Sequence, residues 1–368
     1  MRVVVAFDKF AGTLTAAEAA KAFAAGWHDV AAEDSLVLMP LSDGGPGLIA
    51  ALAAALPGSR LREVEASGPT GVVRSCGLLV AGDTAYVESA VACGLAELQA
   101  ESGDVGAATT YGVGQLLAAA VAEGVGTVVL GLGGSGTNDG GAGLWAALGA
   151  EPREQLAGGG LALRDLGGLA APADLGVRLV AATDVDNPLL GLHGATAVYG
   201  PQKGADQAAI MSLDAALERW ADAVEPLVGQ PGLRDRPGAG AAGGLGFGLL
   251  ALGAERESGA DLVMAAVGLA EAIQGADLVV TGEGSFDATS LRGKVASGVA
   301  RRAQEAGVPC VVAAGQAQVG SRDSAAHGFD EVWSVAGQLE SVAAALEAGA
   351  EGVRTLGAAV ARSWSRQR

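Results

Sequence analysis

Residues 3–27 read VVVAFDKFAGTLTAAEAAKAFAAGW, and this stretch decides the fold. Val3–Phe7 is a short apolar run rich in β-branched valine, of the length of a buried strand. A polar, glycine-containing loop follows, and Thr15-x-x-Glu18 then forms a capping box. In such a box the threonine hydroxyl accepts from the amide three residues on, while the glutamate reaches back to the cap. Ala16–Trp27 carries apolar residues at helical spacing. Strand, polar loop and capped helix make the building unit of an α/β fold, and the unit recurs along the chain. Valine- and leucine-rich runs at Leu36–Met39, Gly77–Val80, Thr127–Leu130, Arg178–Ala182, Asp277–Thr281, Cys310–Ala314 and Glu331–Val335 alternate with Ala-rich helical stretches such as Gln115–Ala122 and Gly143–Leu148. This alternation predicts an α/β architecture with mostly parallel strands.

A chain of 368 residues is long for one core, so two domains are expected. Both ends read as simple strand–helix units. The middle has more glycine, less regular spacing and a Gly/Pro-rich passage at Gln230–Gly248. The expected organisation is a doubly wound, flavodoxin- or Rossmann-like parallel-sheet domain from residues 1–62 and 268–368, with a second α/β domain inserted at 63–267.

Half of the residues are apolar and 17% are charged, the balance of a globular protein rather than a disordered one. The net charge of −18 argues against general nucleic-acid or membrane-surface binding, which needs a basic face. An anionic substrate would need cations placed locally. The opening MRVVVAF reaches Asp8 too soon to be a signal peptide, and no run approaches the roughly 20 apolar residues that span a bilayer. Cys76, Cys93 and Cys310 are odd in number and lack CxxC spacing. That argues against a disulfide framework or a zinc site and for a reducing, cytoplasmic home. His28, His193 and His327 are scattered, so neither a Ser-His-Asp triad nor a histidine metal site is indicated.

Lysine is scarce: Lys9, Lys21, Lys203 and Lys294 stand among 23 basic residues. Lys21 falls within an amphipathic helix, whereas the other three sit in glycine-containing loops. A compact ammonium set deep against an anion is a role that arginine cannot fill.

The loop GLGGSGTNDGGAG at 131–143 contains GxGxxG after a strand, the dinucleotide fingerprint. Its context departs from a Rossmann unit, which opens its helix within the glycines and places an acid about 20 residues on. A Walker loop is also absent, because Thr137 follows Gly136 where lysine is required. What remains is a set of small polar groups: Ser135, Thr137, Asn138 and Asp139. They either contact a ligand or act as turn and helix caps.

Other acid-bearing loops also follow predicted strands: Asp8-Lys9, Asp43-Gly44-Gly45, Asp184 with Asn187, and Gly282-Glu283-Gly284 with Asp287 and Lys294. Acids at the carboxyl ends of strands suit ligand binding in open α/β sheets. Glu88 stands alone on a strand, either as a buried hydrogen-bonding group or as a site residue. The glycine run 238–248 carries no polar side chain and reads as close packing. Carboxylates and lysines without a nucleophilic Cys or His point to phosphoryl transfer, where positioning and cations do most of the catalysis.

Together the segments DKFAGTLTAAEAA, PLSDGGPG, GPTG, TTYGVGQLL, GLGGSGTNDGGAG, DVDNPLLG, YGPQKGA, AAGGLGFG and TGEGSFDATSLRGK resemble bacterial type I glycerate kinases in content and order, over nearly the whole chain. The resemblance implies a two-domain α/β enzyme that phosphorylates D-glycerate with ATP and Mg²⁺ in an interdomain cleft. The 2-phosphate is the favoured product over the 3-phosphate. It implies catalytic roles for Asp8, Lys9, Asp43, Asp184 and Lys203, with Asp184 or Asp43 as the base. Gly44, Gly45, Ser135, Thr137, Asn138, Asp139 and Asn187 are implied in substrate binding. Gly282, Glu283, Gly284 and Lys294 are implied at the nucleotide, and Glu283 and Asp287 at the metal. A homodimer is compatible with this reading. The chain departs from the family pattern at Ala11, where a second lysine is usual, at Pro46, where glutamate is usual, and at Ser285 and Thr289-Ser290. Two alternatives stay open: an NAD(P)-dependent oxidoreductase, from the GxGxxG match, and a non-catalytic sugar-acid binding protein, from Ala11 and Pro46.

Overall fold

In the computed structural model, which describes residues 1–10, 12–291 and 295–365, the opening segment forms the predicted strand, loop and helix. Thr15 caps helix Ala16–His28 with its hydroxyl accepting from Glu18 N at 3.2 Å, and the Glu18 carboxylate accepts from Thr15 N at 2.9 Å. In chain order the strands are β1 (Arg2–Phe7), β2 (Ser35–Leu38), β3 (Arg60–Ser67), β4 (Val73–Ala81), β5 (Thr84–Glu88), β6 (Thr127–Gly131) and β7 (Arg178–Ala182). They continue with β8 (Glu255–Glu257), β9 (Leu278–Gly282), β10 (Ser285–Phe286), β11 (Cys310–Ala314), β12 (Gln316–Ala317) and β13 (Glu331–Ser334). The chain divides into two units, one of Met1–Asp43, Ala50–Pro57 and Ala260–Arg368, the other of Gly44–Ile49 and Gly58–Gly259.

The unit built from both chain ends holds a five-stranded sheet in the order β13-β11-β9-β1-β2, parallel throughout. Counted within the unit this is the flavodoxin-like order 2-1-3-4-5, whose direction of winding switches between β1 and β9. Strands covered by helices on both faces must be apolar along their whole length. β9 and β11 are accordingly buried at every position, and β1 at all but Arg2. Phe7 meets Phe23 edge-on with ring centroids 5.3 Å apart, and Trp27 continues the cluster toward helix Val342–Trp364.

The other unit holds a six-stranded sheet in the order β3-β4-β5-β6-β7-β8. Here too most pairings are parallel, as expected, but the sheet is mixed. β3, β4 and β5 form an antiparallel meander, and only the pairings from β5 to β8 are parallel. β3 lies within this unit, and a division at residue 63 would cut through it. Its core centres on Trp145 and Trp220, packed edge-to-face at 5.3 Å.

Candidate active site

The loop that leaves β6 presents two faces with different chemistry. Its inner face contains Thr137, Asn138 and Asp139, each with 0% of its surface exposed. Asp139 Oδ2 accepts from Thr110 N at 2.7 Å, Thr110 Oγ1 at 2.8 Å and Gly143 N at 3.1 Å, while Oδ1 accepts from Gly141 N at 3.1 Å. Burial drives this carboxyl's pKa upward, against the pull of those donors. Asn138 Nδ2 donates to Thr196 Oγ1 at 2.9 Å. Thr137, Asn138 and Asp139, expected at the substrate, are all enclosed here, and Asp139 serves as a cap. The physical reason is the start of helix Ala142–Ala147, whose first amides need an acceptor. Asp139 supplies it, in the place a dinucleotide phosphate would take in a Rossmann loop. The oxidoreductase reading loses its structural footing here.

The glycines at 238–248 do pack, and they pack against this loop. Gly243 has φ +70°, and a Cβ there would stand 1.9 Å from Thr137 O. Gly140 N donates to Gly243 O at 3.0 Å, and the indoles of Trp145 and Trp220 donate to Gly248 O at 2.9 Å and Gly140 O at 3.0 Å.

On the outer face Gly133, Gly134 and Ser135 line a cavity of about 200 Å³, together with Val185, Tyr199 and Lys203. Lys203 ends the short 3-10 turn Pro201–Lys203, and Gly204 at φ +92° reverses the chain behind it. The Lys203 ammonium is buried and donates to Ser135 Oγ at 3.0 Å and Thr137 O at 2.7 Å. An ammonium has three donors, so one N–H remains for a ligand. Burial lowers its pKa to about 8, with Cys93 and Asp139 acting in the opposite sense. The buried Cys93 thiol is pushed up to about 12 by desolvation first and by Asp139 second, which keeps it protonated and inert.

Asp184, Asn187 and Gly45 do not line this cavity but adjoin residues that do. Asp184 is half-buried in the loop after β7, next to the cavity-lining Val185. Asn187 is committed within that loop. Its Nδ2 donates to His193 O at 2.7 Å and its Oδ1 accepts from the Tyr199 hydroxyl at 2.8 Å. Gly44 and Gly45 lie directly on Gly131 and Gly133, and a Cβ at Gly133 would stand 2.3 Å from Gly45 Cα. Glu88 holds the segment that follows, accepting from Gly47 N at 3.0 Å and Ile49 N at 3.4 Å. Tyr199 was not anticipated by sequence reasoning, although its position two residues before Pro201-Gln-Lys203 was a signal.

In the discontinuous unit, Asp8 and Lys9 follow β1. Asp8 Oδ1 accepts from Lys9 N at 2.7 Å, and Lys9 Nζ lies 3.3 Å from Asp43 Oδ1 and 3.8 Å from Asp8 Oδ1. Asp8 N donates to Gly282 O at 2.8 Å, so the chain enters Glu283 and Gly284 beside Asp8, at the switch between β1 and β9. Asp287 Oδ1 accepts from Thr289 N and Oγ1, both at 2.7 Å, and shapes the next turn. Lys294 and Ala11 lie outside the described residues. Among the described residues no group of three or more His, Cys, Asp and Glu side chains is arranged to hold a metal ion.

A parallel sheet with carboxylate and lysine loops at its switch point, and a second unit with a buried ammonium facing a small cavity, define an α/β enzyme for small anionic ligands. The chain belongs to the glycerate kinase family, whose model matches residues 3–365. It is 39% identical to a glycerate kinase of Halalkalibacterium halodurans, over 94% of each chain. It is also 39% identical to the glycerate 2-kinase of Escherichia coli K12, over 91% of this chain and 90% of that one. A crystal structure named for glycerate kinase 2 of Salmonella typhimurium LT2 superimposes with a TM-score of 0.82 at 36% identity, covering 99% of this chain and 98% of the other.

Proposed function

We propose that this enzyme transfers the γ-phosphoryl group of ATP to the C2 hydroxyl of D-glycerate, releasing ADP and 2-phosphoglycerate in the cytoplasm. The observation that carries this reading is Lys203, a buried ammonium with a donor to spare in a cavity sized for a small hydroxy acid. An enclosed cation binds a carboxylate or a developing phosphoryl charge far more strongly than one in water. Ser135, held by Lys203, offers its hydroxyl beside the same anion. In the transfer, the substrate hydroxyl oxygen bonds to phosphorus as the bond to the ADP oxygen breaks, and the hydroxyl proton leaves to a carboxylate. We assign that proton to Asp184, which adjoins the cavity wall at Val185. Asp43 is given the ion-pair role with Lys9.

Mg²⁺ is held by one or two carboxylates together with phosphate oxygens. Glu283 and Asp287, in the segment that follows β9, supply donors of that kind. The ion's chemistry there would be to neutralise phosphate charge.

The test is to supply ATP, Mg²⁺ and D-glycerate, follow ADP in a coupled assay and identify the product by phosphorus NMR. The expected product is 2-phosphoglycerate, and Lys203→Ala should lower kcat/KM by about 100-fold or more. Wild-type turnover no greater than that of Lys203→Ala would sink the kinase reading, and a 3-phosphate product would overturn the assigned hydroxyl.

A further inference from the structure

A second cavity, of about 150 Å³, opens in the discontinuous unit above the carboxyl ends of β9, β11 and β13. One wall is apolar and is formed by Val335, Val342, Leu346 and Val353. Thr13, Ser285 and Gln316 supply its polar lining, and no charged side chain among the described residues lines it. Val342 and Leu346 leave 47% and 58% of their surface exposed, so apolar carbon faces solvent at the mouth. The wall is also held in an unusual backbone. Helix Val342–Trp364 is broken at Gly349, with φ +48° and ψ −124°, a conformation open in practice only to glycine. No atom lies within 4 Å of where its Cβ would be, so backbone conformation rather than crowding demands the glycine. Glu340, just before the helix, also adopts a left-handed φ of +53°.

We infer that this cavity receives the adenine base of the phosphoryl donor. The inference rests on the kinase reading and deepens it by giving the nucleoside a site. Open α/β sheets bind ligands beyond the carboxyl ends of their strands, near the point where strand order reverses. This cavity lies beyond such strand ends and beside that point: Phe10 and Thr13, from the loop after β1, and Gly284, next to Glu283 after β9, are among its lining. An apolar slot without charge suits a flat heteroaromatic ring and excludes a triphosphate, so the base enters and the phosphates stay outside. Gln316 sets the choice of base. Its Nε2 donates to Ser285 Oγ at 3.1 Å, which turns the carboxamide oxygen into the group offered to a ligand. That oxygen accepts from the exocyclic amine of adenine, whereas guanine presents an oxygen at the same position and is rejected.

Calorimetric titration of the wild-type protein and three variants with adenosine, ADP and GDP tests the assignment. Adenosine is the discriminating probe because it carries no phosphate. The wild-type protein should bind adenosine and ADP, and prefer ADP over GDP by at least about tenfold. Leu346→Asp and Ala345→Trp should each weaken adenosine and ADP by about tenfold or more. Gln316→Leu should bring the ADP-to-GDP ratio close to one. Leu346 is exposed enough for its substitution to leave the circular dichroism spectrum unchanged, so it decides the matter if Ala345→Trp fails to fold. Undiminished adenosine and ADP affinity in folded Leu346→Asp would place the base elsewhere and leave the kinase reading intact. Binding of ADP without adenosine would likewise overturn the inference. A wild-type protein that neither binds ADP nor turns over ATP would remove the kinase reading and the inference together.

Discussion

Burying an ammonium is unfavourable unless partners replace its water, and Lys203 has two such partners in Ser135 Oγ and Thr137 O. Its pKa of about 8 lies below the roughly 10.4 of an unfolded lysine, so the unfolded chain binds the extra proton between those values. Stability therefore rises with pH across that window, and the penalty is complete below the folded pKa. In the role proposed for Lys203, function moves the other way, because the anion needs the charged form. We expect kcat/KM for D-glycerate to be flat below about pH 8 and to fall toward a tenfold loss per pH unit above it. Lys203→Met should lose that limb. Urea unfolding at pH 8 and pH 10 should show the wild-type protein gaining stability relative to Lys203→Met. An unchanged high-pH limb in the variant would assign the titration to another group. Lys203 stood out in the sequence because lysine is rare in this chain and this one is in a glycine turn, and the structure buries it beside a cavity. Asp139 was not legible in the same way, since a capping carboxylate and a ligand-binding one are spelled with the same letters.

Elements were legible where their determinants are local. The Thr15/Glu18 box joins residues three apart, and it forms as read. The cap of helix Ala142–Ala147 depends on Thr110, 29 residues from Asp139, and no local pattern announces it. β3 was missed for a related reason. Its sequence, RLREVEAS, is mostly exposed, as suits a charged edge strand, so a search for apolar runs passes over it. With β3 unseen, the antiparallel pairing to β4 was unseen too. The cap makes a sharp prediction. Asp139→Asn keeps the shape but turns an NH₂ group toward backbone and hydroxyl donors that now meet a carboxylate oxygen. Leaving buried donors unpaired costs about 1–3 kcal/mol each, so urea unfolding should show a loss of about 2–3 kcal/mol. The loop that carries Ser135 and the carbonyl of Thr137 should shift with it and raise the KM for D-glycerate. An Asp139→Asn protein as stable as wild type would show that the carboxylate charge is dispensable to the cap.

At the scale of the whole molecule, the outline of two α/β units was readable from the regular strand–helix alternation at both ends. Their divisions were not, because the chain passes to the second unit at Gly44–Ile49, returns at Ala50–Pro57 and passes again at Gly58, with no shift in composition to mark the steps. Charge is a property of the same scale. The protein carries −18, yet its proposed substrates are anions, so the long-range field opposes their approach while Lys203 attracts them only at contact. These two terms respond differently to salt. At about 0.01 M ionic strength the Debye length is roughly 30 Å and the repulsive field reaches far into solution, whereas at about 0.1 M it shrinks to roughly 10 Å. The contact with a buried ammonium is screened much less. Raising NaCl over this range should therefore lower the KM for D-glycerate, opposite to the usual weakening of steered association by salt. Adenosine is uncharged, and its affinity measured in the same series should not change, which separates screening from any general effect of salt on the fold. If the KM for D-glycerate instead rises steadily with salt, the local cations outweigh the net charge at the approach to the site, and the field the substrate meets is positive despite the composition.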